Sequence, residues 1–177
     1  MWLREYLQRR RTETIRLEKV EFSWLGVKGS WVADREQQQA AWEMYIELVT
    51  RVALQPVAPG EGLISEALAS LYSLFGETRR ILKAHGPTVA RSLSPDSISF
   101  GSIAIAVLNH CVRPVLAKWH PLLLTHEAKR PADRSAREHE RAWYDHDACR
   151  AAIDDLATKL GNYATLLARA AGVAPIH

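Results

Sequence analysis

The spacing of apolar side chains along this chain changes near Asp34. Between Thr14 and Trp31, Ile15, Leu17, Val20, Phe22 and Trp24 alternate imperfectly with charged or small residues, and Gly26 and Gly29 interrupt the run. A period of two belongs to strands, so the segment reads as a strand, a hairpin or an extended arm laid over a helical core. A lone hairpin needs a surface to pack on. Ahead of it, Trp2, Leu3, Tyr6 and Leu7 share one side of a short helix over 1–12.

From Asp34 onward the period is helical. Trp42, Tyr45, Val49 and Val52 recur at three and four and predict a helix over about 35–54, with Asp34 and Gln37 spaced as a capping box. The breaker PVAPG, 56–60, closes it. Ile64, Leu68, Leu71, Phe75 and Leu82 mark a second helix over about 61–85. HGPTVARSLSPDS, 85–97, reads as a surface linker with one helical turn at Thr88–Arg91. A third helix begins near Ser97 or Ile98 and runs to about 119, where Pro121 ends or kinks it before LLLTHEAK resumes. The turn RPADRS leads to a last helix, capped by Ser135 and Glu138 and extending to Ala171 before Gly172, with Gly161 as an interior weak point.

Four amphipathic helices joined by breakers predict an all-α protein centred on an antiparallel four-helix bundle over 34–172. Residues 1–33 form an N-terminal arm with room for a short β-hairpin, and 173–177 a C-terminal tail.

The third helix carries Asn109, His110, Arg113 and His120 inside the most apolar part of the chain. At roughly 100° per residue they fall in one arc with Ser99, Ser102, Ala106 and Ala117. Phe100, Ile103, Val107, Leu108, Cys111, Val112, Val115 and Trp119 take the other side. The polar groups therefore form an edge stripe, read as solvent-facing, and its small residues also suit a docked partner. Pro114 cannot donate to the carbonyl of His110, so a bend is expected near 110–114.

Composition adds limits. Of 177 residues, 47% are apolar and 24% charged, an ordinary globular mixture for one domain, and the net charge of +3 selects no partner. Cys111 and Cys149 lack CxxC spacing and read as buried free thiols in a reducing, cytoplasmic setting. No apolar run follows the basic N-terminus as in a secretory signal, and the polar load on 98–124 argues against a membrane span.

Candidate chemistry is sparse. His139 and His146 lie two helical turns apart among acids, yet neither Glu-x-x-His nor HExxH occurs, so no metal and no cofactor is assigned. Cys111 and His110 point about 100° apart and make no nucleophile pair on their own. GxSxG and the P-loop pattern are missing. The leading expectation is a non-catalytic interaction or assembly protein that dimerises through arm aromatics Trp2, Tyr6, Trp24 and Trp31. A small enzyme, ligand binder or metal binder using Asn109, His110, Arg113, His120, His139 and His146 is the alternative. A nucleic-acid module using the basic arm, including Arg9, Arg10 and Arg11, is a third.

Overall fold

The computed structural model describes residues 18–24, 27–55 and 61–175, and within the first two strands the side chains of 19–21 and 29–33. The chain is mostly helical with a small three-stranded sheet near its N-terminus. Strand β1 (Glu18–Trp24) pairs antiparallel with β2 (Val27–Ala33), the hairpin for which the arm had room. Its period of two has a physical outcome: Lys19 and Glu21 are exposed while Val20 between them is buried opposite Trp31. Strand β3 (Ser97–Ile98) adds in parallel on the far side of β2. Sequence patterning placed a helix start there; the helix begins two residues later, because Ser99 is its N-cap and accepts from the Ser102 N–H at 3.3 Å.

Val20, Trp31 and Ala33 belong to the same core as the helices. Trp31, expected at an interface, is fully enclosed. Its ring lies 6.1 Å from that of Phe100, and its indole N–H donates to Gln37 Oε1 at 2.8 Å. A tryptophan is buried this completely only when its N–H finds an acceptor. Trp2, Tyr6, Arg9, Arg10 and Arg11 lie outside the described residues, as does the side chain of Trp24.

Helix α1 (Arg35–Val49) starts at Asp34, whose carboxylate accepts from the Gln37 N–H at 2.9 Å. Only that half of the expected capping box forms. The Gln37 side chain turns inward instead, accepting from the Phe100 N–H at 2.9 Å and donating to the Arg91 carbonyl at 3.1 Å. The helix stops earlier than its periodicity predicts, and a 3-10 turn (Val52–Leu54) follows. Between them Arg51 is buried, donating to the Ser70 carbonyl at 2.7 Å and to Glu47 at 3.1 Å. Trp42 and Val52, predicted on the apolar face, are exposed; Ala40, Ala41, Met44, Tyr45 and Leu48 are buried.

Helix α2 (Ile64–His85) buries Ile64, Ala67, Leu68, Leu71, Leu74, Thr78 and Ile81, a regular three-and-four stripe. It ends at Gly86, whose φ of 67° no side-chain-bearing residue adopts cheaply. A 3-10 turn (Gly86–Ala90) occupies the predicted linker turn. At Gly101 a Cβ would stand 3.3 Å from the backbone of Val89 and Ala90, so glycine lets the next helix approach that turn.

That next helix is continuous from Phe100 to Glu127, in three parts: α3 (Phe100–Val107), a π-helical turn (Leu108–Val112) and α4 (Arg113–Glu127). The disturbance expected from Pro114 takes the form of this π turn. Proline crowds the carbonyl four residues back, and the Arg113 N–H reaches one residue further than usual, to Leu108. Pro121 does not end the helix, which runs six residues beyond it. The segment is long and apolar enough to cross a bilayer, and half of its most apolar 18-residue window is buried inside the fold.

The expected last helix is two helices. Ser135 and Glu138 form both halves of a capping box for α5 (Ala136–Arg141), and α6 (His146–Ala170) starts afresh after a turn. No proline or glycine breaks the chain there. The turn places Trp143 edge-on against Trp119, centroids 6.2 Å apart, and α5 buries His139 and Glu140. Beyond Ala170, Gly172 (φ 74°) and the Val173 N–H bonded to the Ala168 carbonyl complete a Schellman stop. Within the helical body α6 packs on α1 and α4, and α2 packs on α1 and α4.

Replacing Gln37 by alanine is expected to destabilise the protein by about 2–5 kcal/mol, because the Trp31 indole N–H and the Phe100 N–H lose their acceptor in the interior. Asp34→Ala, which removes only a cap, should cost about 1 kcal/mol. Urea unfolding should show the difference in Cm at unchanged slope, and equal shifts for the two variants would contradict the ranking.

Candidate functional site

A concavity of about 680 Å³ lies between the 3-10 turn at Val52–Leu54, the start of α2, helix α5 and the first half of α6. It forms because two helices begin there: residues Gly62–Ser65 enter α2 from one side and Asp145–Asp147 enter α6 from the other. Arg137, Arg141, Arg150 and His146 supply its basic groups, and Glu61, Glu66, Asp147 and Asp154 its acidic ones.

Glu140 is the best-held group in this region. It is 2% exposed, yet its carboxylate is satisfied by the start of α2. Oε2 accepts from the Ile64 N–H at 2.8 Å, and Oε1 from the Ser65 N–H at 3.0 Å and the Ser65 hydroxyl at 2.7 Å. Leu63, the N-cap of α2, has no side-chain oxygen to offer. Glu140 thus caps a helix from 76 positions away and places a carboxylate where the positive end of the helix dipole favours it. Arg150 ties α6 to the same junction through the Gly62 carbonyl at 3.4 Å, and His146 Nδ1 lies 2.8 Å from the exposed Asp147.

The sequence-selected residues fall in three separate places. Asn109, His110 and Arg113 are exposed on the outer side of the Phe100–Glu127 helix. Arg113 donates twice to Asn109 Oδ1, at 3.2 and 3.0 Å, and its guanidinium lies 5.3 Å from the centre of the Phe75 ring. His120 sits 6.2 Å from the ring of the exposed Tyr72. His146 is in the cavity. His139, placed by its periodicity further out than His146, is instead buried and stacked on His126 at 3.9 Å with planes 10° apart.

The two stacked rings are bonded reciprocally: each Nε2 lies 2.9 Å from the other residue's backbone carbonyl. A carbonyl can only accept, so both Nε2 atoms carry their proton and donate. The pair staples the end of α4 to α5, and Trp143 lies against His126 at 5.8 Å.

The inward set was not legible as such. Gln37 was visible only as a capping residue, and Glu140 as one of several acids in EHERAWYDHD. The Ser135-x-x-Glu138 spacing marks Glu138 as the cap of α5, but no local signal marks Glu140 as the carboxylate that turns inward. Among the described residues, no three His, Cys, Asp or Glu side chains gather as metal ligands. No protein-family model, no curated protein and no solved structure matches the chain.

Cys111 and Cys149 are free and buried. Burial raises both thiols, Cys149 to about 11, despite the nearby Arg150. A raised value means a smaller thiolate fraction in mildly alkaline buffer. Folded protein is therefore expected to resist Ellman's reagent near pH ~8, and unfolding in urea should release two equivalents; fast native labelling would show a reactive thiol.

A second prediction concerns Glu140. Glu140→Ala should lower stability by about 2–4 kcal/mol by leaving buried N–H groups of Ile64 and Ser65 without an acceptor, and Glu140→Gln should recover part of it. Thermal unfolding monitored by circular dichroism tests this, and an unchanged Tm for Glu140→Ala would exclude the capping role.

Proposed function

We propose that the chain is a non-catalytic helical interaction or assembly protein whose partner is a second copy of itself, with α1, α2, the Phe100–Glu127 helix and α6 as an antiparallel four-helix body. The observation that carries this reading is how the buried polar side chains are used. Gln37, Arg51, Thr78, Ser97, Ser99, His139 and Glu140 all bond the chain's own backbone. Interior polarity of this kind holds a scaffold together.

The exposed chemistry is of the sort that protein contacts use. Tyr72 is 64% exposed beside Phe75, with Arg113 and His120 over the two rings. Tyrosine and arginine are enriched among contact hot spots. The buried, free Cys111 and Cys149 support a cytoplasmic setting. Burial of half of its most apolar 18-residue window supports reading the Phe100–Glu127 helix as a core helix.

The cavity around His146 favours a second reading, a ligand binder that grips an anion with Arg137 and Arg150. Inorganic phosphate raising Tm in the wild type but not in Arg150→Ala would promote it.

Under the assembly reading, sedimentation equilibrium of the full chain should show concentration-dependent dimer formation across the micromolar range. A weight-average mass equal to the monomer throughout would overturn it.

A further inference from the structure

We infer that the second copy joins through the outer edge of β1, as an antiparallel β1–β1′ pair with Val20 on the two-fold axis. This rests on the assembly reading and names its surface. In the described sheet the order is β1-β2-β3, so β1 is a terminal strand and, at seven residues, long enough to pair. A terminal strand presents backbone N–H and C=O groups that pair with another strand.

The register follows from charge. Lys19 and Glu21 flank the buried Val20 and are 61% and 80% exposed. With Val20 facing its own copy, Lys19 stands opposite the second copy's Glu21, and Glu21 opposite its Lys19. All four groups lie on the solvent face, since directly opposed residues share a face. Lys19 and Glu21 are already 3.5 Å apart within the strand, so pairing would complete a ring of alternating charge rather than exchange one partner for another.

The neighbouring registers are worse. A slip that centres Lys19 or Glu21 on the axis sets like charges directly opposite each other, which disfavours the pair. A register with its axis between two residues joins the core-facing side of one strand to the solvent face of the other, so the two buried faces do not continue one another. Among alignments near the middle of β1, the one centred on Val20 is self-complementary both in charge and in facing.

Charge exchange tests this without touching the core, because both side chains are exposed. Lys19→Glu makes the two opposed solvent-face positions, 19 and 21, both acidic, and Glu21→Lys makes them both basic. Each variant alone is expected to self-associate roughly tenfold more weakly than the wild type. The double exchange K19E/E21K should recover wild-type association, and an equimolar mixture of the two single variants should form the mixed dimer in preference to either homodimer. Native mass spectrometry and sedimentation read the species, with circular dichroism confirming that each variant is folded. If the single variants associate as tightly as the wild type, β1 is not the contact, and assembly proceeds through another surface. If the wild type itself stays monomeric, this inference and the assembly reading both fall.

Discussion

The structure depends on one buried amide. Gln37 Oε1 accepts the indole N–H of Trp31 and the backbone N–H of Phe100, and Nε2 donates to the carbonyl of Arg91. Two regions more than fifty residues apart thereby meet at one side chain: the inner strand of the hairpin with the first turn of α1, and the loop before β3 with the start of α3. Without Oε1, Trp31 would be a large ring with an orphan donor in the interior, and the buried Phe100 N–H would lose its acceptor at a helix start that Ser99 caps only through Ser102. Apolar packing makes such a region compact but does not dictate which backbone meets which. The amide does, because its acceptor and donor ends are not interchangeable.

At the opposite end of the molecule a related solution recurs with a charge. Glu140 closes the start of α2, and the stacked His126 and His139 exchange bonds with each other's main chain. Both arrangements require the chain to leave the helix at Ala142–Asp145. An unbroken helix from Ser135 would extend one stripe along α6. The interruption gives α5 its own direction and seats Trp143 on Trp119, and the separate helix α5 carries the buried His139 and Glu140. Packing and hydrogen bonding at a distance outweigh local helix preference here.

This difference marks what sequence reading can and cannot reach. The long helices, the capping box at Ser135, the stop at Gly172, the disturbance near Pro114 and the outward stripe at Asn109, His110 and Arg113 all follow from local spacing or backbone chemistry. Short-range rules suffice because the groups involved lie within a turn of each other. The parallel strand at Ser97–Ile98 and the enclosure of Trp31 depend on partners more than sixty residues away, and the stacked histidines on partners in two different helices. A tryptophan in a segment of period two looks the same whether it meets a neighbouring molecule or Phe100. Likewise, Ser135 marks Glu138 as a local cap, but nothing in the sequence shows that Glu140 rather than Asp145 will cap a distant helix.

The hairpin links these points to the proposed assembly. Its inner strand is committed on both edges, to β1 and to β3, and on its buried face through Trp31. Such a strand is positioned by the core and leaves its outer neighbour, β1, in a defined orientation rather than as a loose arm. Pre-ordering of that kind matters for association, since ordering a flexible strand at the moment of contact would consume much of what the new backbone bonds contribute. A buried glutamine that makes no contact with a partner can in this way set how readily an edge strand receives one.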